Sequence, residues 1–120
     1  MKKINIGMFD QEILVFESRE DFNRWESKNP VEGRDSRHEE LDASAGMAGA
    51  LFTEAGDSFW FIYLQDRSTR TLCHESLHIA YMMLDVLGIK HDISNHEVMA
   101  YLQEDIFAQS CKVLKIPVDF

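Results

Sequence analysis

His74 and His78 stand four residues apart in the run TLCHESLHIAYMMLDVLGI, residues 71–89. On an α-helix that spacing puts two imidazoles on one face, about one turn apart. Such a pair is a two-pronged metal ligand. Glu75, next to the first histidine, lies roughly 100° round the helix, off the ligand face yet close enough to reach a metal-bound water. The HExxH spacing thus divides the labour of zinc hydrolysis, with two nitrogens to hold Zn2+ and one carboxylate as general base. The competing reading is two histidines lining the polar edge of a core helix.

A catalytic zinc usually has three protein ligands plus water, so a third is sought. The metzincin continuation, Gly three residues after the second His and His six after, is absent, because Tyr81 and Leu84 occupy those positions. Asp85 lies about 10 Å further along the same helix axis and is too far. Glu97 remains, nineteen residues beyond His78 in the first turn of the next helix, after a Gly-containing turn that brings that helix back across the first. Glu97 has a structural alternative, since Ser94-Asn95-His96-Glu97 reads as an S-x-x-E capping box. His96 is a substitute ligand, a donor to the reacting carbonyl, or a solvated residue at the helix start. His91 and His38 read as surface.

The elements that must position these residues follow from periodicity. KINIGMF alternates at Ile4, Ile6 and Met8, and EILVFES is a continuous apolar run, so two short strands are expected. Ser18 caps a short amphipathic helix over REDFNRWESK, ended by Asn29-Pro30. Residues 30–42 have no apolar period and read as a long surface loop. Residues 43–66 read as a hairpin turning at Ala55-Gly56-Asp57-Ser58, with SFWFIYL the most β-prone run in the chain. A central helix runs from about Ser68 to Leu87, with Gly88 at its C′ position. A last helix opens at Ser94, packs through Val98, Tyr101, Leu102, Ile106, Phe107 and Leu114, and stops by Pro117. The order β-β-α-β-β-α-α predicts an α+β fold in which a small mixed sheet backs two helices.

With 120 residues, 45% hydrophobic and 28% charged, the chain reads as one folded domain over 1–120, with little room for deep specificity pockets. No stretch suits a membrane span or a signal-peptide core, which predicts a cytoplasmic protein with Cys73 and Cys111 as free, core-packed thiols. A net charge of −9 argues against nucleic acid and anionic membranes as partners. The same acidity suits docking to a basic surface or DNA mimicry, and in the plainest case only solubility.

HESLH, the short separation and the helical Glu of HEVMAY together resemble the gluzincin branch of the zincin metallopeptidases. The likeness is to minimal single-domain gluzincins and to small HExxH proteins of bacteriophages. It covers roughly residues 46–110. It implies a zincin-like fold, Zn2+ held by His74, His78 and Glu97, and Glu75 as the base that takes a proton from zinc-bound water and passes it to the leaving amine. It also implies a protein or peptide substrate added to an apolar edge strand, for which SFWFIYL is the candidate. Tyr101 or His96 would donate to the oxyanion. A phage-encoded member would work in host cytoplasm. Where large gluzincins have an acidic residue four after the ligand Glu, this chain has Tyr101, with Glu104 one turn on, so the partner orienting the first His is not assigned. The alternative function is a non-catalytic acidic binding protein on the same fold, an inhibitor of a host protein with a structural metal or none.

Overall fold

The computed structural model describes residues 1–117. Its elements are β1 (Lys2–Ile6), β2 (Gln11–Phe16), α1 (Arg19–Lys28), α2 (Arg34–Asp42), β3 (Gly46–Phe52), β4 (Ser58–Leu64), α3 (Thr69–Val86), a 3₁₀ turn at Ile93–Asn95, and α4 (His96–Leu114). The strands form one mixed sheet in the order β1-β2-β4-β3. β2 and β4 are parallel, while β1 and β3 flank them antiparallel. The fold is α+β, as the alternation of elements predicts. No helix among the described residues is long and apolar enough to cross a membrane.

The two inner strands explain their own composition. Ile13, Leu14, Val15 and Phe16 are buried, as are Phe61, Ile62, Tyr63 and Leu64, because both faces of the sheet are covered and no side chain can point to water. On one face Ile13, Val15, Ile62 and Leu64 pack against α3 and α4 through Leu72, Ile79, Met83, Leu102 and Ile106. On the other, Leu14, Phe16, Phe61 and Tyr63 meet Phe22 and Trp25 of α1 and Leu41 of α2. β1 has one buried face and alternates accordingly, with Ile4 and Ile6 inward. Met8 does not continue that strand. It lies in the turn to β2 and is exposed.

Residues 30–42 do not form a long loop. Their polar run hides α2, because one side chain, Leu41, suffices to dock it and the remaining faces are solvated. His38 is not a free surface residue either: its Nε2 lies 2.6 Å from Glu26 Oε1 and its Nδ1 meets Arg19 Nη2. Arginine can only donate, so Nδ1 accepts and Nε2 carries the proton to Glu26. Arg34 Nε donates to the same buried Glu26 oxygen at 3.0 Å. α2 is thus held by one apolar anchor and a charged seam against α1.

Local signals place the other helix ends. Ser18 Oγ accepts from the Asp21 amide and Ser68 Oγ from the Thr71 amide, both side-chain N-caps. Gly88 follows α3 with φ of 77°, a conformation that costs glycine least. The β3–β4 turn spans residues 53–57, so Ser58 belongs to the strand.

Leu41→Ala is expected to destabilise the protein by about 2–4 kcal/mol through a lost core anchor, read as a lowered midpoint in urea unfolding. Loss of less than 1 kcal/mol would mean that the charged seam alone docks α2.

Candidate metal and peptide site on α3

α3 divides its residues between a buried face and an open one. Leu72, Ser76, Ile79, Ala80 and Met83 face the core, and Ser76 satisfies its hydroxyl by donating to the Leu72 carbonyl at 2.7 Å. His74 and His78 stand on the open side. Their rings are 4.7 Å apart between centroids and inclined by 74°, which brings the two Nε2 atoms to 3.1 Å. The side chain of His74 is 68% exposed, so the pair is reachable from solvent.

Glu75 lies at the boundary between the two faces. Its side chain is only 8% exposed and Oε1 sits 4.0 Å from His74 Nε2. Burial pushes its carboxyl above the ordinary glutamate range, while the two histidines pull the other way. A carboxylate partly stripped of water and beside two nitrogens is equipped to accept a proton.

The sheet edge beside this group is β3. SFWFIYL, expected at the edge, is β4 and lies between β2 and β3 with its hydrogen-bonding groups taken on both sides. Its strong β character reflects burial on two faces rather than an open rim. The ladder at either end of the β3–β4 pair is closed by Thr53 N to Asp57 O and Gln65 N to Ala45 O. Antiparallel pairing alternates, so odd-numbered β3 residues bond to β4, and Gly46, Ala48, Ala50 and Phe52 direct their amides outward. Phe52 O is taken by the Glu32 amide and Ala50 O by Arg37. Among the described residues the outward backbone groups of Gly46 and Ala48, next to α3, have no hydrogen-bond partner.

Gly46 makes that proximity possible. A Cβ there would lie 2.5 Å from Thr71 Cγ2, 3.1 Å from the Tyr63 carbonyl oxygen and 3.2 Å from Glu75 Cγ. Only glycine lets strand and helix approach so closely. A shallow depression of about 340 Å³, lined by Gly46, Arg70, Thr71, His74 and Glu75, marks the junction. The sequence signal for it was a glycine inside a strand.

The structure does not gather every expected site residue. Among the described residues no three His, Cys, Asp or Glu side chains form a group that could hold a metal ion. Glu97 is in the first turn of α4, exposed, with Oε1 3.3 Å from His96 Nε2. It does not cap through Ser94 either, since Ser94 Oγ donates to Asp92 at 2.6 Å and α4 starts from Asn95 without a side-chain cap bond. Tyr101 is 60% exposed and lines a separate depression with Met8, Glu104 and Asp105, so it is not on the packing side of α4. His96 does share a cavity with His78. His91 is exposed and stacks on Tyr81, with ring centroids 3.8 Å apart. Cys111 is buried, whereas Cys73, expected in the core, is exposed. α2 lies across the sheet from α3 and does not cover the pair. No family model, curated protein or solved structure matches the chain.

Two outcomes test this geometry. Gly46→Ala should cost about 1–3 kcal/mol by overpacking, partly recovered when Thr71→Ser removes the clashing methyl, measured as a double-mutant cycle in urea. Glu75→Gln should raise the melting temperature of the metal-free protein at pH 7. The raised carboxyl is best tolerated when protonated, so its penalty is absent below the unfolded glutamate pKa of about 4.3 and appears as pH rises through the folded value. The two proteins should therefore converge near pH 4.

Proposed function

We propose that the chain is a zinc-dependent peptidase of gluzincin type, acting on a protein or peptide. The observation that carries this reading is the 3.1 Å between His74 Nε2 and His78 Nε2. Two nitrogens bound at ~2.0–2.1 Å to one tetrahedral zinc lie about 3.3 Å apart, so the pair fits that ion. His74 and His78 would hold it, with Glu97 the third ligand offered by the chain. When bound, zinc supplies Lewis acidity, polarising a carbonyl and making water a stronger acid at neutral pH.

The remaining work falls to the protein. Glu75 takes a proton from the attacking water and returns it to the departing nitrogen, a role that suits a carboxyl raised by burial. The open backbone of Gly46 and Ala48 holds an extended peptide by strand addition, running past Glu75. This edge takes the part first given to SFWFIYL. His96 is the favoured donor to the developing oxyanion, since it shares a cavity with His78 and Tyr101 does not. An HExxH helix beside the free edge of a mixed sheet supports the zincin-like description of the fold. The compartment proposed is the cytoplasm, that of the host if a phage encodes the chain.

The net charge of −9 favours one rival, a non-catalytic acidic protein on this fold that binds a partner. Elemental analysis of untagged protein and its variants decides between them. One zinc per chain is expected, lost in His74→Ala and in Glu97→Ala. Glu75→Gln should retain zinc but lower kcat on a peptide library by about 10²–10⁴. Zinc retained in both alanine variants would refute the site, and zinc bound without any peptide cleavage would favour the rival.

A further inference from the structure

We propose that the cavity beside His78 receives the C-terminal residue of a peptide, a large apolar side chain bearing a free carboxylate. The proposal rests on the peptidase reading and names its substrate class. Contrary to the expectation of little room for specificity, a cavity of about 580 Å³ lies between the second half of α3 and the connection to α4. That is ample for one large residue and within the range of small-ligand sites. Its apolar walls are Leu84 and Met99, flanked by Leu77 and by Tyr81, whose ring is stacked on His91, while His96 and Asn95 add polar groups to the lining. A cavity whose exposed surface is mainly apolar, beside a candidate catalytic group, is suited to an apolar ligand.

Charge narrows the ligand further. Lys90 lines the same cavity and makes no ion pair among the described residues. In a chain of net charge −9, this exposed ammonium is the lining group that carries a fixed positive charge. Asp92, the carboxylate on the lining, already accepts from Ser94 Oγ. A residue inside a peptide brings no charge for Lys90 to meet, whereas a terminal residue brings one carboxylate. His78 is part of the lining, so the amide preceding a residue held there falls beside the histidine pair. Hydrolysis then adds one water across that amide. The C–N bond breaks, the acyl carbon keeps the hydroxyl, and the nitrogen takes the proton carried by Glu75, releasing one apolar amino acid.

The test begins with binding to the metal-free full chain, which does not depend on catalysis. N-acetyl-phenylalanine, its amide and octanoate are titrated by calorimetry against the native protein and Lys90→Ala, with circular dichroism to confirm folding. The acid should bind at least tenfold tighter than the amide, and Lys90→Ala should erase the difference. Equal binding of acid and amide, or a preference that survives Lys90→Ala, overturns the proposal. Octanoate binding tighter than N-acetyl-phenylalanine also overturns it, by assigning the cavity to a free aliphatic acid. With zinc, peptides ending in Phe should lose one residue by mass spectrometry, and their C-terminal amides should resist. Internal cleavage indifferent to the terminus would overturn this proposal and leave the peptidase reading intact. A carboxylate preference without hydrolysis would uphold the cavity and sink the peptidase reading.

Discussion

The parallel pair β2 and β4 is buried on both faces, and the rest of the molecule is arranged to keep water off it. Eight consecutive-by-strand side chains, Ile13–Phe16 and Phe61–Leu64, have no solvent-facing side. Each stabilises the fold by about 1.5–3 kcal/mol only if both layers are present. Parallel neighbours also need a long crossover, and here the connection runs through α1, α2 and β3. That path supplies the second helical layer and leaves β3 as the rim on the side of α3.

The candidate site exists where these demands meet. β3 must lie against α3 to close the first core, and Gly46 lets it approach until Thr71 and Glu75 leave no room for a Cβ. The same contact strips water from Glu75 and raises its carboxyl. The histidines, one residue and three residues away on the open side, remain hydrated. A partly dry base beside a wet ligand pair is therefore a by-product of packing a helix against a rim strand, achieved without any dedicated loop.

The open face of α3 leaves large apolar side chains uncovered at two places. Leu77 and Tyr81 border the cavity next to His78, while Val86 and Leu87 lie near the C-terminal end of the helix. The connection to α4 lines the cavity through Lys90, His91, Asp92 and Asn95, and is braced internally by Asn95 donating to the Lys90 carbonyl at 3.0 Å. The same connection is fastened to α3 by His91, whose ring stacks on Tyr81.

Local chemistry was legible in the sequence, and distance was not. The i, i+4 spacing alone determined that His74 and His78 would converge, because one turn of helix fixes it. Ser18, Ser68 and Gly88 marked helix ends for similarly local reasons. Continuous apolar runs at 12–18 and 58–64 announced burial, yet could not tell a rim strand from a central one, since both are hydrophobic; only pairing made β3 the edge. α2 escaped detection because a helix docked by Leu41 and a charged seam has no apolar period. The packing side of α4 was misread at Tyr101, which is exposed, because the way α4 rotates against the core is set by Leu102, Ile106 and Leu114 finding it. The cavity beside His78 likewise belongs to the tertiary structure, because its walls come from residues up to 22 positions apart, Leu77 and Met99, whose proximity no spacing rule contains.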